Sequence, residues 1–516
     1  MQPTQKMQNG RMSRAFIINE MADGSLAFEA QGGQADHAVE SGSSGTLMAF
    51  EAQGGGEARR ASLAALHASA PYAGNALASR AAAALGETLP LLRAFVATPS
   101  VNPDQVDDPA ADAATCNERR MAEAVHARFV ALGADEVHID ASGTAPERPN
   151  VMALFRAAPD APHPKWLAID THLDTVAVKG MAPHAPFGAA VTTGDGHAGG
   201  LGQEEVYLHG RGSCDTKATL ANVLALLGER GAAAAGDGGG GGGGGARVGL
   251  RHHLLLFGTV GEETGRLGAK ALKQWLAARR IVLDELLVAE PTRCDPIFGH
   301  KGHVRLRFDI EGVPAHSSLP HLGKNAVVAA AALTTALYEE GRRLAAAVPP
   351  PRPDGCDLGP PTLTPTVFAG GSGINIVPGS ASVHVDRRVT AGESGQQVCD
   401  ELEALGRRVL AAHDQCACAH VAAAQADHVS DAFVQSGKSP LISRLLRWGG
   451  GEARVATFGT NASVGYDARA VVVFGPGDIA QAHQNDEWIM LSQLVRHKRV
   501  LQEWLFGDWA EHESRL

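Results

Sequence analysis

The sequence predicts an α/β fold in two parts: a large α/β domain and a smaller α+β domain inserted into it. Three observations carry that prediction. From about Leu85 onward, short apolar runs of strand length alternate with segments of helical period. Four of those runs stop at a histidine or a carboxylate, or a short loop before one. Between residues 302 and 425 the texture changes to alternating strands and two long helices.

At 516 residues the chain has room for two or three domains. Residues 1–84 are read as a disordered, low-complexity extension rich in Gly, Ala, Ser and Gln. Within it Ala27-Phe28-Glu29-Ala30-Gln31-Gly32-Gly33 recurs at residues 49–55, and two copies are too few for a solenoid. The α/β domain takes residues 85–301 and 426–516, and the inserted domain residues 302–425. A net charge of −11 argues against nucleic-acid or anionic-membrane partners. No apolar stretch approaches the roughly 20 residues of a membrane helix. The amino terminus lacks an apolar signal core, although Lys6, Arg11 and Arg14 precede any acid in the manner of a transit peptide. Seven scattered cysteines suit reduced thiols, so a cytoplasmic protein is expected.

Taken in order, Leu89, Leu92, Phe95 and Val96 carry helical spacing, and Pro99 stops that helix. A helix over residues 118–132 and a strand over 151–155 follow. The apolar run Trp166-Leu167-Ala168-Ile169 then ends in Asp170-Thr171-His172-Leu173-Asp174. In an extended segment side chains at i and i+2 point the same way, so His172 and Asp174 share one side. A metal-binding imidazole needs its second nitrogen held, and this spacing suits Asp174 for that task. A polar, Gly-rich excursion without a predicted element runs to about Gly202. Tyr207 and Leu208 lead into Gly210-Arg211-Gly212-Ser213-Cys214-Asp215-Thr216-Lys217, and Leu220, Val223, Leu224 and Leu227 mark one face of the next helix. Asp215 at its start fits an N-cap as well as a ligand, and a carboxylate has two oxygens. Eight glycines, Gly238 to Gly245, form a flexible surface loop in this reading. The run Leu254 to Phe257 leads to Glu262-Glu263, a helix follows over 269–278, and Leu286 to Ala289 ends in Glu290. Far downstream Val471 to Phe474 leads through Gly475-Pro476-Gly477-Asp478 to His483.

In open α/β sheets, sites form outside the carboxyl ends of the strands. Chance supplies one or two polar endings, hardly this many with two histidines among the acids. His172, Asp215, Glu263, Glu290 and His483 together make the mixed nitrogen and oxygen donor set of zinc or a similar divalent ion. A carboxylate between two ions can bridge them.

The motifs His172-Leu173-Asp174-Thr175, Gly210 to Lys217, Glu262-Glu263-Thr264 and Glu290-Pro291-Thr292 resemble those of a known family. It is the co-catalytic zinc amidohydrolases and peptidases that include acetylornithine deacetylase and succinyl-diaminopimelate desuccinylase. The tail Gly475 to Glu487 is most similar to the acetylornithine deacetylases, and the resemblance spans residues 85–510. It implies a mixed-sheet, zinc-exopeptidase-like catalytic domain with an inserted ferredoxin-like lid that also forms a homodimer contact. It implies two divalent ions, zinc first and cobalt second. Asp215 bridges them, His172 and Glu290 complete one site, and Glu263 and His483 complete the other. Glu262 is then the general base, and Asp174 orients His172.

In the inserted domain Val304, Leu306, Phe308 and Ile310 alternate as a half-exposed strand. A helix over 325–344, a Pro-rich loop to Pro361, strands near 363–369 and 382–388, a helix near 393–411 and a strand near 417–424 follow. By resemblance His316 reaches the site of a partner subunit and supports the oxyanion, while Asn375 and Arg388 recognise a substrate carboxylate. A guanidinium fork suits that task, and Arg387 fits it as well as Arg388 does. His252, His253, His300 and His303 are read as structural. By the same resemblance, acetylornithine deacetylases usually carry an acid at the position of Asn461, which suits a cationic substrate side chain. An amide there opens the substrate binding of Asn461 to neutral N-acyl amino acids such as acetylcitrulline.

The expectation is a metal-dependent amidohydrolase that removes the acyl group of an N-acyl amino acid, acetylornithine or a close relative, in arginine biosynthesis. The competing expectations are a deacylase for acetylcitrulline or succinyl-diaminopimelate, a dipeptidase or carboxypeptidase of the same fold, and a non-catalytic metal-binding scaffold. Glu262 argues against the last, since a scaffold has no need of a base beside its ligands.

Overall fold

A computed structural model describes residues 19–20, 26–27, 76–106, 112–195, 204–236, 249–347, 355–422 and 429–509. The glycine run, the sequence repeat beyond Ala27 and part of the Pro-rich loop lie outside these residues. The chain divides into Met1–Ala65 and Leu66–Leu516. Within the first unit Asn19–Glu20 pairs antiparallel with Leu26–Ala27. Everything that follows concerns the second.

A nine-stranded mixed sheet organises this unit. Its centre is four adjacent parallel strands in the order Ala468–Val473, Leu283–Val288, Trp166–His172 and His253–Thr259. These are the apolar runs of the sequence. Leu167, Ala168, Ile169, Leu254, Leu255, Leu256, Leu286, Leu287 and Val472 are all nearly inaccessible to solvent. Strands buried on both faces read as continuous rather than alternating hydrophobic runs. Antiparallel strands extend the sheet on both sides. Asn150–Phe155 and Glu136–Asp140 add to one edge, and Ile297–His300 with Phe433–Val434 to the other. The helix Lys217–Gly236 buries Leu220, Val223, Leu224 and Leu227 in a common core with the helices Thr88–Val96 and Leu491–Phe506.

A small antiparallel sheet, Val191–Asp195, Glu204–His209 and Trp488–Met490, lies off the main one. Its first strand falls inside the excursion for which the sequence offered no element. Only Val191-Thr192-Thr193 signals it, a β-branched run too short to stand out among glycines. The first helix, Ala76–Leu85, starts inside the segment read as low complexity. It is alanine-rich, hence without visible period, yet Ala78 and Leu85 are buried in the core.

The inserted region has a core of its own. Ser380–Val389 and Gly302–Glu311 pair antiparallel over ten residues each, flanked by Thr362–Gly370 and Cys418–Ala422. The helices Ala326–Ala345 and Gly395–Ala411 bury Ala329, Leu333, Leu337, Val398 and Leu402 against Val304, Leu306, Phe308 and Ile310. The strand Val429–Ser430 still pairs with Gly302–Glu311, a few residues beyond the boundary at 425.

Candidate active site

The four parallel strands point their carboxyl ends the same way, and the predicted donors stand there. His172 closes its strand, and Glu290 follows Val288 by two residues. Glu262 and Glu263 open a short 3₁₀ turn after Thr259. That turn is entered through Gly261 at φ 70°, the left-handed region that favours glycine. Asp215 precedes the helix that begins at Lys217. His483 comes from the loop after Val473, where Gly477 at φ 87° passes so close to Cys214 that a Cβ would lie 2.5 Å from its sulfur.

Asp215 is the centre of the cluster. Its Oδ1 lies 2.9 Å from His172 Nε2, and its Oδ2 lies 3.4 Å from His483 Nε2. His483 Nε2 is also 3.0 Å from Glu263 Oε2. Both oxygens of Asp215 therefore face imidazoles, and an N-cap role would need one of them. His172, Asp215 and Glu263 present donor atoms within 4.8 Å of one another, and so do His172, Glu262 and Glu290. Glu262 thus stands among the potential ligands, closer to His172 and Glu290 than its reading as a free base suggested.

Asp174 acts differently from the expectation. His172 Nδ1 donates to the main-chain carbonyl of Asp174 at 2.9 Å, while the nearest carboxylate oxygen is 3.7 Å away. The strand ends at His172, so the i, i+2 alternation stops there. The carboxylate of Asp174, fully buried, instead accepts the main-chain N–H groups of Glu262 and Glu263, each at 3.1 Å, and Asn102 Nδ2 at 2.8 Å. It fixes the turn that presents the two glutamates.

The electrostatics fit a pair of cations. Four carboxylates, Asp215, Glu262, Glu263 and Glu290, crowd two imidazoles in a largely buried space. Burial, with the like charge of Glu263 and Asp174 acting against His172 and Arg266, pushes Glu262 up to about 8. Burial and the neighbouring acids raise Glu290 well above the carboxylate range too. Because a carbonyl only accepts, His172 Nδ1 carries the proton. In the neutral ring the Nε2 lone pair then faces Asp215 Oδ1, an arrangement that calls for a proton or a cation between them. Asp215 and Glu263 hold His483 up at about 10, despite burial that works the other way. Divalent cations would neutralise this excess of negative charge, and the mixed nitrogen and oxygen donors suit zinc.

The predicted substrate residues are spread more widely. His316 is exposed in the inserted domain, with Nδ1 bonded to Ser318 Oγ at 2.7 Å. Asn375 is also exposed, and its carbonyl accepts the Ser317 N–H. Among the described residues, neither side chain is hydrogen-bonded or ion-paired to the five-donor cluster of its own chain. The structure separates the adjacent arginines. Arg387 is buried and paired with Glu393 at 2.5 Å, while Arg388 is partly exposed and bonded only to Asp386 at 2.8 Å among the described residues. Asn461 is buried, and its Nδ2 donates to Thr259 Oγ1 at 3.1 Å. Thr259 in turn donates to Asp170, which also receives the Tyr466 hydroxyl. Oδ1 of Asn461 has no hydrogen-bond partner among the described residues.

Sequence reasoning gave no role to Glu487 and Asn102. Glu487 is fully buried, accepts the N–H groups of Cys214 and Asp215 at 2.9 and 3.1 Å, and pairs with Arg211 at 2.6 Å. It therefore holds the main chain of the central carboxylate. Its only signal was an acid closing the polar loop just before Trp488, far in sequence from Arg211.

Comparisons with known proteins bear on this geometry. A family profile described as a peptidase dimerisation domain matches residues 298–414. The acetylornithine deacetylase of Myxococcus xanthus is 29% identical over 334 residues, 63% of this chain and 78% of that protein. The acetylornithine deacetylase of Aliivibrio salmonicida is 29% identical over 239 residues, so the match spans 46% of this chain and 61% of that relative. An M20 family metallo-carboxypeptidase from Sulfolobus solfataricus shares the fold, with a TM-score of 0.58 at 16% identity over 82% of this chain and 99% of that one. A dimerisation domain inside a chain similar to acetylornithine deacetylases, carried on the fold of a metallo-carboxypeptidase, gives the likeness its shape: the chain resembles the M20 metal-dependent amidohydrolases and peptidases.

Proposed function

We propose that the chain hydrolyses the amide bond of an N-acyl amino acid, acetylornithine first, and that it works as a homodimer joined through the inserted domain. The observation that carries the reading is Asp215 with one oxygen toward each of two imidazoles, Glu262 standing beside them. His172 and Glu290 would hold one divalent ion, Glu263 and His483 the other, and Asp215 both. When bound, the ions supply positive charge that polarises an amide carbonyl and acidifies water.

The protein's own groups do the rest. Glu262 takes a proton from the attacking water and returns it to the leaving nitrogen, a transfer that a carboxyl near the working pH performs best. Asp174 keeps Glu262 in reach through the N–H bonds of the turn. Arg388 and Asn375 bind the substrate carboxylate as a fork and an amide. His316 of the partner subunit supports the developing oxyanion. Asn461 Oδ1 meets the substrate side chain, which favours an uncharged or hydrogen-bond-donating group.

Stripping the protein with a chelator and restoring zinc or cobalt should abolish and then recover amide hydrolysis. Acetylornithine, acetylcitrulline, succinyl-diaminopimelate and dipeptides assayed side by side name the substrate. Turnover of dipeptides alone would replace the deacylase reading with a peptidase. No turnover of any amide in the zinc-restored protein would leave the scaffold.

A further inference from the structure

Beyond the five-donor cluster, one other group of partly buried metal-binding side chains converges on a point among the described residues. His184 Nδ1 and His209 Nδ1 each lie 3.0 Å from the same oxygen, Asp486 Oδ1. The two rings are stacked, with centroids 3.7 Å apart and planes 29° from parallel. The donor atoms of the three residues lie within 4.8 Å of one another. The far nitrogen of His209, Nε2, is 2.8 Å from Thr192 Oγ1. Metal-ligating histidines have their second nitrogen held in this way, which fixes the ring for the ion.

The three donors come from three separate segments tied together through the main chain. The Ala182 N–H donates to the carbonyl of Asn485, two residues from His184 on one side and one from Asp486 on the other. His209 pairs across the small sheet with Trp488. The donors are therefore brought together by backbone bonds that need no ion, the preorganisation a metal site requires. His209 is buried, while the side chains of His184 and Asp486 are 26% and 30% exposed, which gives an ion a way in and room for water as a further ligand.

We propose that His184, His209 and Asp486 form a separate site for a divalent transition-metal ion of the zinc class. The ion takes the two Nδ1 lone pairs and a carboxylate oxygen, while His209 turns its remaining proton on Nε2 toward Thr192. Its effect is structural. It pins Asp486 and so the adjacent Glu487, whose carboxylate holds the N–H groups of Cys214 and Asp215. None of the five donors of the central cluster takes part.

The test is a zinc count on the full chain after chelation, reloading with excess zinc and removal of free metal. Wild type should hold one ion more than His184→Gln. Thr192→Val should keep the site with roughly 10- to 100-fold weaker affinity. In chelator all three proteins should melt together, and only wild type should gain its full increment when zinc is added. Equal counts in wild type and His184→Gln overturn the proposal and leave the central pair untouched. An ion that survives Asp215→Ala but is lost in the double variant Asp215→Ala/His184→Gln supports the proposal even if the central cluster proves to hold none.

Discussion

Glu262 is the residue on which the proposed chemistry turns, and its position poses a sharp question. It lies with His172 and Glu290 among groups able to hold an ion, yet the reaction asks it to move a proton. Glu262→Gln should lower kcat by about 10²- to 10⁴-fold while the zinc count stays at the wild-type value. Loss of an ion together with activity would make it a ligand instead. At the proposed substrate end, Asn461→Asp should shift the ratio of kcat/KM values toward cationic acyl-amino acids, because in that reading a carboxylate would face the substrate where Oδ1 has no partner among the described residues. An unchanged ratio would remove Asn461 from the pocket. Residue identities were the most legible layer of the sequence, since donors ending apolar runs announce themselves. Their partners were not. Whether Asp174 serves through its carbonyl or its carboxylate, and whether Arg387 or Arg388 is the buried, Glu393-paired one, depends on where the strand stops and on Glu393, neither of which spacing reveals.

At the scale of elements, the central parallel strands were legible because both of their faces are buried and they read as unbroken apolar runs. The strands at the margins were not. Ile297–His300 is four residues long and contains a glycine, and Val191–Asp195 is half-exposed and polar. Such strands are held by their neighbours rather than by their own pattern. The inserted domain offers a clean test of packing between elements. Gly406, in the helix Gly395–Ala411, lies directly against the Phe308 ring, and a Cβ there would overlap it. Gly406→Ala should cost about 1–3 kcal/mol through forced repacking. Thermal denaturation would read that loss, and the zinc count should not move. A variant as stable as wild type would mean that the helix shifts freely on its sheet.

For the whole molecule, the dimer and the acid limb of stability are the properties to measure. If His316 serves the partner subunit's site, chains carrying Glu262→Gln and chains carrying His316→Ala are each inactive alone. Mixed, they should recover roughly a quarter of wild-type activity, since half the dimers are mixed and each has one intact site. No recovery would confine His316 to its own chain. Burial alone pushes His497 down to about 3 from the usual histidine value. A histidine depressed in the fold stays neutral while the unfolded chain takes up its proton near pH 6.5. Stability is therefore lost as pH falls below about 6.5, and for this group the loss reaches about 2 kcal/mol at pH 5. His497→Gln should lose less stability than wild type between pH 7 and pH 5, and parallel curves would discount the group.

The order of strands has a consequence for how the protein is made. Ala468–Val473 sits between Leu283–Val288 and Ile297–His300, although it leaves the ribosome long after both. At about 5–20 residues per second, the inner edge of Leu283–Val288 waits roughly 10–40 s for its neighbour. During that wait a strand ending in the apolar run Leu286-Leu287-Val288 shows a row of unpaired N–H and C=O groups, an invitation to another nascent chain. The inserted domain, whose core closes within its own residues, is complete before the last strand arrives and can fold in the meantime. Slowing translation after residue 422 should therefore raise aggregation of the newborn chain more than the same delay placed before residue 283.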